Sequence, residues 1–82
     1  MAVQYESLIH HLVEPLVIYP DDIEVKVLSD DEQLVTVQIL VHADDLGRVI
    51  GKNGRIANAI RTIAYASASR EHKKISIQID AF

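Results

Sequence analysis

Three stretches of this 82-residue chain alternate apolar and polar side chains with a period of two, and they constrain the fold more than any other feature. Ile23, Val25 and Val27 alternate with Glu24, Lys26 and Leu28. Val35, Val37, Ile39 and Val41 alternate with Thr36, Gln38 and Leu40. Ile75, Ile77 and Ile79 alternate with Ser76, Gln78 and Asp80. Successive side chains of a strand point to opposite faces, so each stretch reads as a strand with one buried face. Leu28 and Leu40 give the outer face some apolar character. The polar run Ser29-Asp30-Asp31-Glu32-Gln33 between the first two strands predicts an antiparallel hairpin.

A sheet with one apolar face needs a second layer, and the rest of the chain supplies it. Tyr5, Leu8, Ile9, Leu12, Val13 and Leu16 follow the i, i+3, i+4 spacing of an amphipathic helix. Pro15 lacks an amide donor, and its ring opposes the carbonyl of His11, so the helix should kink there or end near Glu14. Tyr19-Pro20-Asp21-Asp22 reads as a turn. Asp44 is a candidate N-cap for a short helix over residues 45–50, with Leu46, Val49 and Ile50 towards the core. A further helix is expected over residues 55–70, with Ile56, Ile60, Ile63, Ala64 and Ser67 on its inward stripe. The predicted fold is a two-layer α+β sandwich in the order α-β-β-α-α-β, a three-stranded mixed sheet packed on three helices. One domain over residues 1–82 is expected from the length.

Net charge is −4, which by itself disfavours a polyanion ligand, but the charges are segregated. Residues 1–47 carry ten acids and one base, Lys26, whereas residues 48–74 carry seven bases and one acid, a net of +6. The bases are Arg48, Lys52, Arg55, Arg61, Arg70, Lys73 and Lys74. A local basic face on an acidic body binds polyanions at one place and orients them.

The string Val49-Ile50-Gly51-Lys52-Asn53-Gly54-Arg55-Ile56 lies within that segment and joins the two predicted helices. A two-residue link between helices must turn sharply, and glycine at both ends permits positive φ and close backbone approach. Loop amides and the start of the next helix direct partial positive charge outward, which suits an anion. Lys52 adds a point charge, Asn53 an amide donor, and Arg48 and Arg55 flank them. These residues form a clamp for a phosphate backbone.

This string resembles the signature of the KH family, in which a helix–GxxG–helix unit grips about four nucleotides. The element order is similar to the type II, prokaryotic arrangement, and the resemblance to small stand-alone bacterial members extends over essentially the whole chain. It implies non-catalytic binding of single-stranded RNA, with Gly51 and Gly54 shaping the loop and Lys52 and Asn53 facing phosphates. Bases would lie in a groove between Arg48-Val49-Ile50 and the second strand at Ile39, Leu40 and Val41. The same resemblance implies a cytoplasmic RNA chaperone or regulator that forms homodimers, and heterodimers with a larger KH partner. It also implies an influence on cell elongation and cell-wall synthesis.

The four aromatics, Tyr5, Tyr19, Tyr65 and Phe82, are remote in sequence from that groove, so no stacking platform is expected and affinity should be modest. A protein-interaction or dimerisation module that keeps the KH shape with little RNA affinity is the alternative reading. It would use the apolar first helix with Val17, Ile18 and Tyr19. No cofactor, metal, membrane or small-molecule substrate is implied. His10 and His11 diverge by about 100° on a helix, His42 and His72 stand alone, and no Walker loop is present. The absence of cysteine removes thiolate chemistry, and no secretory signal is expected at the N-terminus.

Overall fold

The computed structural model describes the backbone of residues 2–82 and the side chains of residues 5–82. The N-terminal residues on which the signal-peptide expectation rests lie partly outside the described residues. Helix α1 (Ala2–Val13) is followed by strands β1 (Ile23–Asp30) and β2 (Leu34–Val41), helices α2 (Leu46–Ile50) and α3 (Arg55–Ser69), and strand β3 (Lys74–Ala81). The order α-β-β-α-α-β is the one predicted. β2 is central, antiparallel to β1 and parallel to β3, so the sheet is mixed.

Register follows the alternation. Val25 opposes Ile39, and Ile39 opposes Ile79; Val27 opposes Val37, and Val37 opposes Ile77. All of these residues lie on the face covered by the helices. Tyr5, Ile9 and Val13 of α1, Val49 of α2, and Ile60, Ala64 and Ala68 of α3 complete a continuous core with Val35, Val41 and Ile75. Burial of these side chains at roughly 25 cal/mol per Å² is the main force holding the layers together.

Several local details differ from the sequence reading. β1 runs on through Ser29 and Asp30, with a bulge between Val27 and Ser29 that inserts Leu28 against β2. The turn therefore shrinks to residues 31–33, where the Asp31 carboxylate accepts from the amides of Gln33 and Leu34 at 2.9 and 2.7 Å. Those two hydrogen bonds hold the Asp31 carboxyl below the usual range. The end of α1 is as expected from Pro15: the helix stops at Val13, and Glu14–Leu16 forms one 3₁₀ turn in which Pro15 donates no amide. On α3 the inward positions are Ala57, Ile60, Ala64 and Ala68, while Ile63 is 45% exposed. Alanine lets the helix lie close to the sheet and shifts the buried stripe away from Ile63.

Tyr5 is buried at the far end of the core, and its hydroxyl donates to the Glu71 carboxylate. Beside it, Lys73 Nζ donates to Asp30 Oδ1 at 2.8 Å. That ion pair raises the Lys73 pKa and ties the tip of the β1–β2 hairpin to the α3–β3 connection. Among the described residues no helix is long and apolar enough to cross a membrane.

Candidate nucleic-acid interface

β2 delivers the chain to His42, and Ala43–Asp45 forms a 3₁₀ turn before α2. The cap is His42, whose Nδ1 accepts from the Asp44 amide at 3.0 Å, and Asp44, the predicted cap, is exposed. Asp45 is fully buried. Its two carboxylate oxygens accept from the amides of Ile18 and Tyr19, each at 3.0 Å, and Arg48 Nη1 stands 3.5 Å away. Burial pushes the Asp45 carboxyl up. The two amides and Arg48 outweigh it, and the carboxyl stays below the usual aspartate range. Asp45 thus joins the α1–β1 connection to the start of α2. No sequence signal distinguishes it from its neighbour Asp44, so the strut was missed.

α2 closes with the Gly51 amide donating to the Gly47 carbonyl at 2.8 Å. The chain then passes through three positive-φ residues, Gly51 at 77°, Asn53 at 59° and Gly54 at 73°, before α3 begins at Arg55. A Cβ on Gly51 would sit 2.7 Å from Ile56 Cγ1 and 2.9 Å from Ile56 Cβ, so no side chain fits. At Gly54 the space is open and only the left-handed conformation calls for glycine. Lys52 and Asn53 are exposed at the apex. The first amides of a helical turn have no intrahelical acceptor, and the dipole of the 15-residue α3 adds positive character there.

The basic residues divide into paired and free. Lys73 is held by Asp30, and Arg48 by the Asp44 carbonyl at 2.8 Å and by Asp45. Among the described residues no carboxylate lies within 4 Å of Lys52, Arg55, Arg61, Arg70 or Lys74. The loop and the first turn of α3 therefore keep uncompensated positive charge.

The fold places the predicted groove residues unequally. Arg48, Lys52, Asn53 and Arg55 are exposed, and Ile50, Gly51 and Gly54 are half-buried. Val49, Ile39 and Val41 are fully buried in the core, and Leu40 lies half-buried on the opposite, outer face of the sheet. The strand on the open edge, against which α2 and α3 pack, is β3. The amides of Lys74 and Phe82 donate to the β2 side, at Gln33 and Val41. The backbone groups of Ile77 and Ile79 therefore face the open edge. Arg61 Nη2 reaches the Ile77 carbonyl there at 3.4 Å. Half-buried Ile79 and Ala81, together with Arg61, are the groove-wall candidates that sequence reasoning did not name. Which strand would border the loop depends on sheet order, and alternation alone does not encode that.

Tyr19 also lies closer to this unit than its sequence position suggests. Its ring stacks on His42 with centroids 4.1 Å apart.

Residues 6–79 match the family model described as the KhpA/KhpB KH domain. The chain is 46% identical over 74 residues to the RNA-binding protein KhpA of Oceanobacillus iheyensis, covering 90% of this chain and 97% of that protein. It is 45% identical to the protein of the same name from Bacillus subtilis, covering 90% of each. The Listeria monocytogenes protein is 47% identical, with 90% of this chain and 96% of that one covered. The fold also superposes on part of the crystal structure of an Aquifex aeolicus Era variant bound to GDP and aluminium fluoride. The TM-score is 0.77 at 15% identity, over 98% of this chain and 31% of that one. Era in complex with MgGDPNP and a segment of 16S ribosomal RNA gives 0.75 at 15% identity, over 95% and 30%. The glycine loop between two short-linked helices and the type II element order have their counterpart at the level of whole sequences, and the chain belongs to the KhpA/KhpB family of KH domains.

Proposed function

We propose that this chain binds single-stranded RNA without catalysis and holds its phosphates on the loop Gly51-Lys52-Asn53-Gly54. The observation that carries this reading is the positive-φ loop bearing Lys52, with Arg55 opening α3, neither within 4 Å of a carboxylate among the described residues. The relatives named as RNA-binding proteins support it. Phosphates would meet Lys52, Asn53 and the loop amides, with Arg48 and Arg55 on either flank. Bases would lie over Val49 and Ile50 towards the sheet. With Ile39 and Val41 buried and Leu40 on the far face, the wall they meet is better supplied by β3.

By family resemblance the 82 residues act as one KH domain in the cytoplasm. There the protein would serve as an RNA chaperone or post-transcriptional regulator that pairs with itself and with a KhpB-like partner. The same resemblance extends to an influence on cell elongation and cell-wall synthesis. The exposed Ile63 and Tyr65 on α3 and the shallow cleft of Leu8, Ile63 and Ala66 between α1 and α3 favour that pairing. They are also what a pure interaction module would use.

Fluorescence anisotropy of a labelled single-stranded RNA separates the two readings. Lys52→Asp/Asn53→Asp should abolish binding with the fold intact, because both side chains are exposed. For the wild type, the fall of log K with log salt should correspond to about two to four phosphates at ~0.7 each. Equal binding by both proteins would move the site off the loop, and a salt-insensitive interaction would assign the chain to protein interaction instead.

A further inference from the structure

Tyr19 and His42 come from separate connections of the fold, yet their rings stack with centroids 4.1 Å apart and planes inclined by 22°. Both partners are fixed from below. The Asp45 carboxylate holds the Ile18 and Tyr19 amides, and the Asp44 amide donates to His42 Nδ1, leaving the imidazole proton on Nε2. Neither ring is buried. Tyr19 is 41% exposed, in contrast to Tyr5 at 1%, and among the described residues its hydroxyl has no partner. Arg48, pinned by the Asp44 carbonyl, stands at the same end of α2, about 5 Å along the axis from Gly51. The Phe82 amide donates to the Val41 carbonyl, which places exposed Phe82 at the same end of β2.

We propose that the Tyr19–His42 stack, with Arg48 beside it, receives one base of the RNA strand next to the nucleotides gripped by the loop. This inference rests on the loop reading given above, since Arg48 would belong to both contacts. A rigid, half-exposed aromatic pair offers a π face without the entropy cost of ordering it, and every base can stack on it. The exposed Asp44 carboxylate, 3.8 Å from His42 Nδ1, repels phosphate from the ring faces. What this step accepts is therefore a neutral base, with the phosphates left to Arg48 and Lys52. The contact adds affinity without sequence readout, and it lengthens the footprint on the α1–β1 side of the clamp.

The chain has no tryptophan, so Tyr19→Trp introduces a single indole reporter. A labelled single-stranded RNA of about ten nucleotides is titrated while label anisotropy and indole emission are read together. The expected result is quenching that tracks the rise in anisotropy, with both lost when Lys52→Asp/Asn53→Asp is added. Tyr19→Leu, which keeps apolar bulk but lacks a π face, should weaken binding roughly five- to hundredfold, and Tyr19→Phe should restore it. Indole emission that stays flat while anisotropy rises, or unchanged affinity in Tyr19→Leu, overturns the base-stacking step and leaves the loop reading standing. Absence of any anisotropy change overturns both.

Discussion

Gly51 and Gly54 share a positive φ but resist substitution for different reasons. At Gly54 only backbone strain opposes a side chain, so Gly54→Ala should cost about 1–2 kcal/mol and leave the loop's shape recognisable. Gly51→Ala carries the same strain plus a collision with Ile56, which adds about 1–3 kcal/mol of overpacking. In a domain this small that sum takes up much of the total stability. Urea denaturation should rank Gly51→Ala well below Gly54→Ala. The adjacent acids separate in the same way. Asp45→Asn turns one carboxylate oxygen into a donor facing an amide donor, whereas Asp44 accepts nothing from the backbone. Thermal melts at pH 7 should show a clear loss for Asp45→Asn and almost none for Asp44→Asn. Because the Asp45 carboxyl is held below the usual range, its contribution is complete at neutral pH. It should begin to fade as the pH drops below about 4.

At the scale of elements, α3 ends in a Schellman turn. Lys73 donates to the Ala68 carbonyl and His72 to that of Ser69, with His72 at φ 60° in the position usually given to glycine. Relief of about 1–2 kcal/mol of left-handed strain exceeds the roughly 0.5–1 kcal/mol of extra chain entropy that glycine brings. His72→Gly should therefore stabilise by about 0.5 kcal/mol, read as a small rise in denaturation midpoint. This turn was not legible, because histidine is enriched in the left-handed region far less strongly than glycine and no local pattern singles out His72. The strands were legible, because Val35, Val37, Ile39 and Val41 alternate without a break, and so was the loop, because two glycines interrupt helical spacing. Where β1 ends was misread. Ser29 and Asp30 look like turn residues, but a bulge at Leu28 lets them continue the ladder. The inward face of α3 is rotated from the expected stripe of Ile56, Ile60, Ile63, Ala64 and Ser67. Close packing on the sheet selected Ala57 and Ala68 over Ile63. Asp45 and the Tyr19–His42 stack depend on contacts between distant segments, which no local pattern contains.

For the whole molecule, the Tyr5–Glu71 and Lys73–Asp30 pairs close the end of the sandwich opposite the loop. Burial first, and then the hydrogen bond and charge of Glu71, push the Tyr5 hydroxyl up to about 12. The neutral phenol is favoured by the folded state, so its contribution is complete below pH 10 and is lost as the pH rises from 10 to about 12. Tyr5→Phe should be less stable than wild type by about 1 kcal/mol at neutral pH. The gap between the two in denaturant titrations should close across that window.

The bulge at Leu28 has a consequence for the protein in concentrated solution. A three-stranded sheet has two outer strands, and each exposes a row of hydrogen-bonding groups that invites another sheet to attach. On β1 the bulge bends and twists the outer row, and Lys26 and Glu24 put charge beside it. On β3 the guanidinium of Arg61 occupies one carbonyl of the outer row, that of Ile77. These features oppose strand addition at both margins, which works against the fibrous self-assembly that valine- and isoleucine-rich strands otherwise promote.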